Sequence, residues 1–179
     1  MARFEIVSYY EGEGINLPKR STAHSAGHDI CAAEDTLIKA YQGTDSTAGD
    51  GILSYPLALI PTGLKIKLDE NQFVQLVPRS SLYRKTGLLF SNSPGIIDAD
   101  YYGNPDNGSS TSTSLGQIWL MRDRDNGGHV FVGVWNLGRE GVVGKKGDRI
   151  AQAIIMSYGI TEDDNATGER LGGFGSTGN

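Results

Sequence analysis

The chain has 179 residues, 38% of them hydrophobic and 21% charged, which suits one soluble domain with a sizeable core. Its formal charge of −5 disfavours a general nucleic-acid binder, which needs a basic face, but allows a local phosphate site. No stretch reaches the roughly 18 apolar residues of a membrane span. The start Met-Ala-Arg-Phe-Glu lacks the apolar run of a signal peptide, and the sole cysteine, Cys31, forbids an intrachain disulfide and suits a reducing cytoplasm.

The 25 glycines are dispersed rather than periodic, as in a chain with many tight turns. Residues 26–35, Ala-Gly-His-Asp-Ile-Cys-Ala-Ala-Glu-Asp, set Asp29 near small neighbours. There it can reach Mg²⁺ through water, since this ion keeps much of its hydration shell. Residues 42–51 read as a polar loop. Residues 64–68 alternate as Leu-Lys-Ile-Lys-Leu, the pattern of a half-buried strand. In the following strand Phe73, Gln75 and Val77 share one face, with Val74 and Leu76 on the other.

Pro78-Arg79-Ser80-Ser81-Leu82 opens the one predicted helix, 82–86, with Ser80 or Ser81 as its cap and Gly87 at its end. An arginine and hydroxyls at a helix mouth suit a phosphate; an ordinary capped helix beside a surface arginine has the same pattern. Residues 91–103, Ser-Asn-Ser-Pro-Gly-Ile-Ile-Asp-Ala-Asp-Tyr-Tyr-Gly, read as a hairpin that presents backbone groups to a base edge. Asp98 at its end can orient and deprotonate a water, or can simply be a solvated acid. Residues 104–126 read as a polar excursion between core strands. Apolar runs at 130–135 and 150–155 predict two more strands. Gly-Asp-Arg-Ile-Ala-Gln at 147–152 places Arg149 and Gln152 in the second of these, for a phosphate or for an intersubunit or intrachain hydrogen bond. From Thr161 the chain reads as a mobile tail. Arg170 precedes Gly-Gly-Phe-Gly-Ser-Thr-Gly at 172–178, which is either a solvating end or a segment that orders over a ligand, with Phe174 stacked on a planar base. His24, His28 and His129 lack metal-ligand spacing, and no Walker A motif is present.

Taken in order, AGHDICAAED, PRSSL, NSPGIIDADYYG, GDRIAQ and RLGGFGSTG resemble the five ordered motifs of the trimeric dUTPase family, from about Ala26 to the C-terminus. The resemblance implies an all-β jelly-roll fold, barrel or sandwich, with one short helix. It also implies a homotrimer with shared active sites and Mg²⁺-assisted hydrolysis of dUTP to dUMP and pyrophosphate. Residues 1–160 would form the domain, and 161–179 an arm that closes the site.

By position, Asp98 matches the family's catalytic carboxylate, and Tyr101 the tyrosine that packs on deoxyribose and leaves no room for a 2′-hydroxyl. Asn92 and the backbone from Gly95 to Ile97 match the uracil-reading hairpin. Arg79, Ser80 and Gln152 match phosphate-binding positions, with Ser81 beside them. Asp29 matches the aspartate linked to Mg²⁺ through water, and Arg170 with Phe174, Gly175, Ser176 and Thr177 matches the closing arm.

The chain departs from the pattern in three places. His28 stands where an aromatic is usual, Arg170 lies four rather than five residues before Phe174, and the 104–126 excursion is absent from compact members. Insertions there occur in phage-borne relatives and serve regulation, so the resemblance makes 104–126 the place for a regulatory protein partner. It points to a phage or Gram-positive bacterial origin. A deoxycytidine triphosphate deaminase shares the fold but needs a catalytic glutamate near the base, and the third motif carries Asp98 and no such glutamate. A purely regulatory nucleotide-responsive protein is supported by the polar insert alone.

Overall fold

Eleven strands run through residues 1–40, 57–103 and 127–170, which the computed structural model of the chain describes. The loop expected at 42–51, the excursion expected at 104–126 and the tail beyond Arg170 lie outside the described residues. The strands are β1 (Arg3–Ile6), β2 (His28–Cys31), β3 (Thr36–Ile38), β4 (Ala58–Pro61), β5 (Leu64–Lys67), β6 (Gln72–Pro78), β7 (Leu88–Phe90), β8 (Gly95–Asp98), β9 (Phe131–Asn136), β10 (Val142–Gly144) and β11 (Arg149–Ser157). One α-helix, α1 (Leu82–Thr86), lies between β6 and β7. Short 3-10 turns occupy Ser8–Tyr10 and Ala99–Tyr101.

Side-chain alternation explains the pairing. Leu64 and Ile66 of β5 turn inward and are buried, while Lys65 and Lys67 face the other way. Val74 and Leu76 of β6 are buried, whereas Phe73, Gln75 and Val77 are half-buried. The antiparallel sheets run β2-β11-β6-β8, β4-β9-β7, β1-β5 and β10-β3. Ile30, Ile38, Ile60, Leu64, Val74 and Val132, drawn from all four sheets, meet in one apolar cluster that also takes Leu82 of α1. The result is an open, layered jelly roll. Of the two forms expected, barrel or sandwich, the strands do not close into a barrel.

The helix spans the residues predicted for it, but its start differs in detail. Ser81 occupies the cap position with helical backbone angles, and its side chain makes no capping bond. In that conformation its hydroxyl does not face the first free N–H groups. Order comes instead from the other end, where Gly87 adopts a left-handed φ of 72° and donates to the Tyr83 carbonyl at 2.7 Å. Among the described residues no helix is long and apolar enough to cross a membrane, which leaves β-barrels unaddressed.

Asn136, fully buried at the end of β9, ties the layers together. Its Nδ2 donates to the carbonyls of Ile38 at 3.1 Å and Glu140 at 2.8 Å, and its Oδ1 accepts from the Gly138 N–H at 2.8 Å. Replacing Asn136 by Ala strands three backbone groups in the interior. Chemical denaturation at neutral pH is expected to show a loss of about 3 kcal/mol.

Candidate active site

Strand β8 and the turn after it build a pocket of about 550 Å³. Leu76, Pro94, Ile96 and Phe131 supply apolar walls, and Asn92, Gly95, Ile97, Asp98, Tyr101 and Arg170 line the same space. Six of the residues singled out in the sequence therefore meet here. The pocket combines apolar side chains with the Asn92 amide and the backbone of β8, and so it can hold a planar polar ring.

Asp98 ends β8 and starts the Ala99–Tyr101 turn. Its carboxylate Oδ2 is ion-paired with Nη2 of Arg170, and Nε of the same guanidinium reaches Asp100 Oδ1 at 2.6 Å. One arginine thus bridges two acids and offsets part of their mutual repulsion. The turn is pinned on both sides. Tyr101 donates its hydroxyl to the His129 carbonyl at 3.0 Å, and Gly103 N–H donates to the Gly127 carbonyl at 3.1 Å. Tyr102 donates to Glu5 Oε2 at 2.6 Å, and that bond is the chief reason the Glu5 carboxyl sits below its usual range.

Asp29, Arg79 and Gln152 form a second cluster, at the far end of the same sheet. The Asp29 carboxylate is 11% exposed. Its Oδ1 faces Arg79 Nε at 3.2 Å and accepts from Gln152 Nε2 at 3.2 Å, while Oδ2 accepts from Arg149 Nη1 at 3.3 Å and Ser21 Oγ at 3.4 Å. Two guanidiniums around one carboxylate leave a net positive patch, which can hold an anion. Ser80 and Ser81 follow Arg79 into α1, with Ser80 exposed.

The two groups do not meet within one chain. β6 pairs Phe73 with Asp98 and Leu76 with Gly95, and Pro78 with Ala151 on its other edge. From Phe73 to Arg79 the strand rises roughly 20 Å, at about 3.3 Å per residue. Arg79 therefore cannot touch a phosphorus that lies beside Asp98 of its own chain. Phe174, Gly175, Ser176 and Thr177 lie outside the described residues.

Two contributors were not marked as site residues by the sequence reading. Arg149 carried a signal, because it is polar in an apolar run, and its engagement of Asp29 gives that polarity a purpose. His129 carried only the negative signal of lacking metal spacing, yet its carbonyl anchors Tyr101. His28, the unusual residue of the first motif, tilts against Phe4 with ring centroids 5.4 Å apart, and its Nδ1 lies 3.4 Å from the Ala153 carbonyl.

A β-fold with a hairpin pocket beside a carboxylate, and an arginine-rich cluster beyond it, has the parts of a phosphoester-bond or phosphoanhydride-bond hydrolase site. Comparison with known proteins narrows the class. A family model described as dUTPase matches residues 13–106 and 108–178. The deoxyuridine 5'-triphosphate nucleotidohydrolase of Lactococcus lactis subsp. lactis is 41% identical over 177 residues, which is 98% of this chain and 96% of the relative. The crystal structure of dUTPase from Streptococcus mutans aligns with a TM-score of 0.67 at 33% identity, covering 89% of this chain and 98% of that one. A mutant dUTPase from phage phi11 of S. aureus, whose structure reveals coordination of a structural Mg(II) ion, aligns with a TM-score of 0.62 over 93% of this chain and 96% of its own. At 17% identity that last likeness is one of fold. The chain belongs to the dUTPase family.

Burial leaves His129 uncharged. It is 7% exposed, and desolvation pushes its pKa from 6.5 down to about 3. Between those values the unfolded chain binds a proton that the folded chain refuses, so stability holds above about pH 6.5 and falls as pH drops toward 3. The limiting slope is about 1.4 kcal/mol per pH unit. His129→Gln, which does not titrate, is expected to flatten the decline in denaturation midpoint between pH 6.5 and 4.

Proposed function

We propose that this chain hydrolyses dUTP to dUMP and pyrophosphate in a site assembled from more than one copy of itself. Nucleotidohydrolysis of dUTP is the reaction of the family to which the chain belongs; its removal keeps uracil out of DNA. The observation that carries the composite reading is the separation of the two clusters along β6. A nucleotide whose α-phosphorus lies at Asp98 needs its phosphates held by Arg79, Ser80, Ser81 and Gln152 of a neighbouring copy. A closed threefold ring satisfies that need for every site at once.

In this reading uracil enters the hairpin pocket, where Asn92 and the backbone of Gly95 to Ile97 read its edge. Tyr101 packs on the deoxyribose. Asp98 accepts a proton from water as the water oxygen bonds to the α-phosphorus. The bond from that phosphorus to the bridging oxygen breaks, and pyrophosphate leaves with the electron pair. Asp98 must first part from Arg170, and an incoming triphosphate offers that guanidinium an alternative anion. Residues 161–179 act as the arm that follows, with Phe174 over the base and Arg170, Gly175, Ser176 and Thr177 toward the phosphates. The closed arm excludes bulk water and holds the reactants in line.

The residues present suit a divalent ion held mainly by substrate. Among the described residues no three His, Cys, Asp or Glu side chains cluster to hold a metal, but Mg²⁺ commonly rests on phosphates, waters and one or two carboxylates. Asp29 would be the carboxylate within that pattern, reaching the ion through water. Ser21 and Arg149 make its longest contacts, 3.4 and 3.3 Å, and are the ones to give way. Bound Mg²⁺ would offset triphosphate charge that a chain of net −5 neutralises only locally. A deoxynucleotide substrate and a single cysteine suit a bacterial or phage-infected cytoplasm.

Asp98→Asn is expected to lower kcat by roughly 10²–10⁴-fold, while calorimetry still detects dUTP binding. Wild-type turnover in a pyrophosphate assay would remove Asp98 from its role, and ammonia release would mark a deaminase instead.

Complementation tests the shared site. Arg79→Ala and Asp98→Asn chains, each inactive alone, are unfolded and reassembled together at equal concentration. Random mixing should restore about one quarter of the sites. No recovery in verified mixed assemblies would mean that one copy supplies both groups.

A further inference from the structure

We infer that His129 is the positioning residue for Tyr101 and thereby sets how sharply the pocket separates deoxyribose from ribose triphosphates. The inference rests on the reading of Tyr101 as the sugar-packing residue.

The Tyr101 hydroxyl donates to the His129 main-chain carbonyl at 3.0 Å. That carbonyl has a fixed place because its own side chain is locked. Nε2 of His129 accepts the Gly63 N–H at 2.9 Å. An accepting Nε2 carries the lone pair, so the ring proton of the neutral imidazole is on Nδ1. The ring lies between Tyr10 and Phe131, with centroids 5.6 and 4.1 Å away. On one side of it Val130 N–H donates to the Leu64 carbonyl at 2.8 Å, and Thr62 Oγ1 donates to the Val130 carbonyl at 2.6 Å. On the other side Gly128 has φ +82°, and a Cβ there would lie 2.7 Å from the Tyr101 carbonyl oxygen. The 128–130 segment is thus clamped between 62–64 and the Tyr101 turn. Val130 and Phe131 then continue into the pocket wall beside Tyr101. A tyrosine that excludes one oxygen atom must be held to within a fraction of an ångström, and this chain of contacts supplies the constraint.

The test compares kcat/KM for dUTP with kcat/KM for UTP in intact enzyme. His129→Phe keeps a ring but removes the acceptor, and is expected to reduce the dUTP preference about tenfold, with KM for dUTP rising more than kcat falls. His129→Gln keeps an acceptor near the Nε2 position and should return the preference close to the parent value. A general loss of stability would lower both rates together and leave their ratio in place. Tyr101→Ala separates the two readings. If it collapses the preference while His129→Phe does not, His129 has no positioning role and the Tyr101 reading stands. If Tyr101→Ala leaves the preference unchanged, the sugar-packing reading fails, and this inference with it. Should His129→Phe show no cooperative thermal transition, Tyr101→Phe deletes only the hydroxyl that reaches His129. A reduced preference then supports the link, and an unchanged one overturns it.

Discussion

Strand β6 is hydrogen-bonded along both edges, to β8 on one side and to β11 on the other. A one-residue slip in either ladder would turn Val74 and Leu76 out of the core and Phe73, Gln75 and Val77 into it. The register is therefore held by burial, and the site inherits it. Asp98 must lie opposite Phe73, and Gln152 opposite Val77. The distance between carboxylate and arginine cluster follows from that register alone, and it is the constraint on which the proposed shared site rests.

Charge is arranged with the same economy. A chain of net −5 holds its candidate phosphate site positive by surrounding one carboxylate, Asp29, with Arg79 and Arg149. At the other end Arg170 bridges Asp98 and Asp100 and offsets one of their two charges. Both arrangements are charge-assisted pairs near a surface, where an incoming polyanion can exchange for a carboxylate at little net change in Coulomb energy. In the proposed site each of these pairs must loosen before its cation can turn to a phosphate.

Much of the fold was legible in the chain. The alternation at 64–68, the faces of β6, the strands near 130–135 and 150–155 and the helix at 82–86 all follow from local periodicity and from Gly87. The Ser81 cap was not, because a capping hydroxyl depends on backbone angles that the turn from Arg79 sets. The hairpin residues Asn92, Gly95, Ile97, Asp98 and Tyr101 were legible because they are close in sequence. Arg170 joins them from far along the chain; its motif marked it for a closing arm near the phosphates, and its pairing with Asp98 and Asp100 was not legible. Leu57, Leu59 and Phe131 also line the pocket but look like any strand residue, since apolar walls carry no local mark of what they face.

What the amino-acid sequence determined by itself is local: which segments pair as strands, where the turns fall, which short motifs can bind phosphate or activate water, and hence the family. What tertiary structure decided is relational. It set Asp29 between two arginines, joined Arg170 to Asp98, and put a buried imidazole behind the tyrosine of the pocket. It also left the jelly roll open rather than closed into a barrel. The physical reason is that periodicity and turn chemistry act over a few residues, whereas ion pairs, buried hydrogen bonds and sheet order join residues tens of positions apart. Their partners exist only once the common core of Ile30, Ile60, Val74 and Val132 has drawn the layers together.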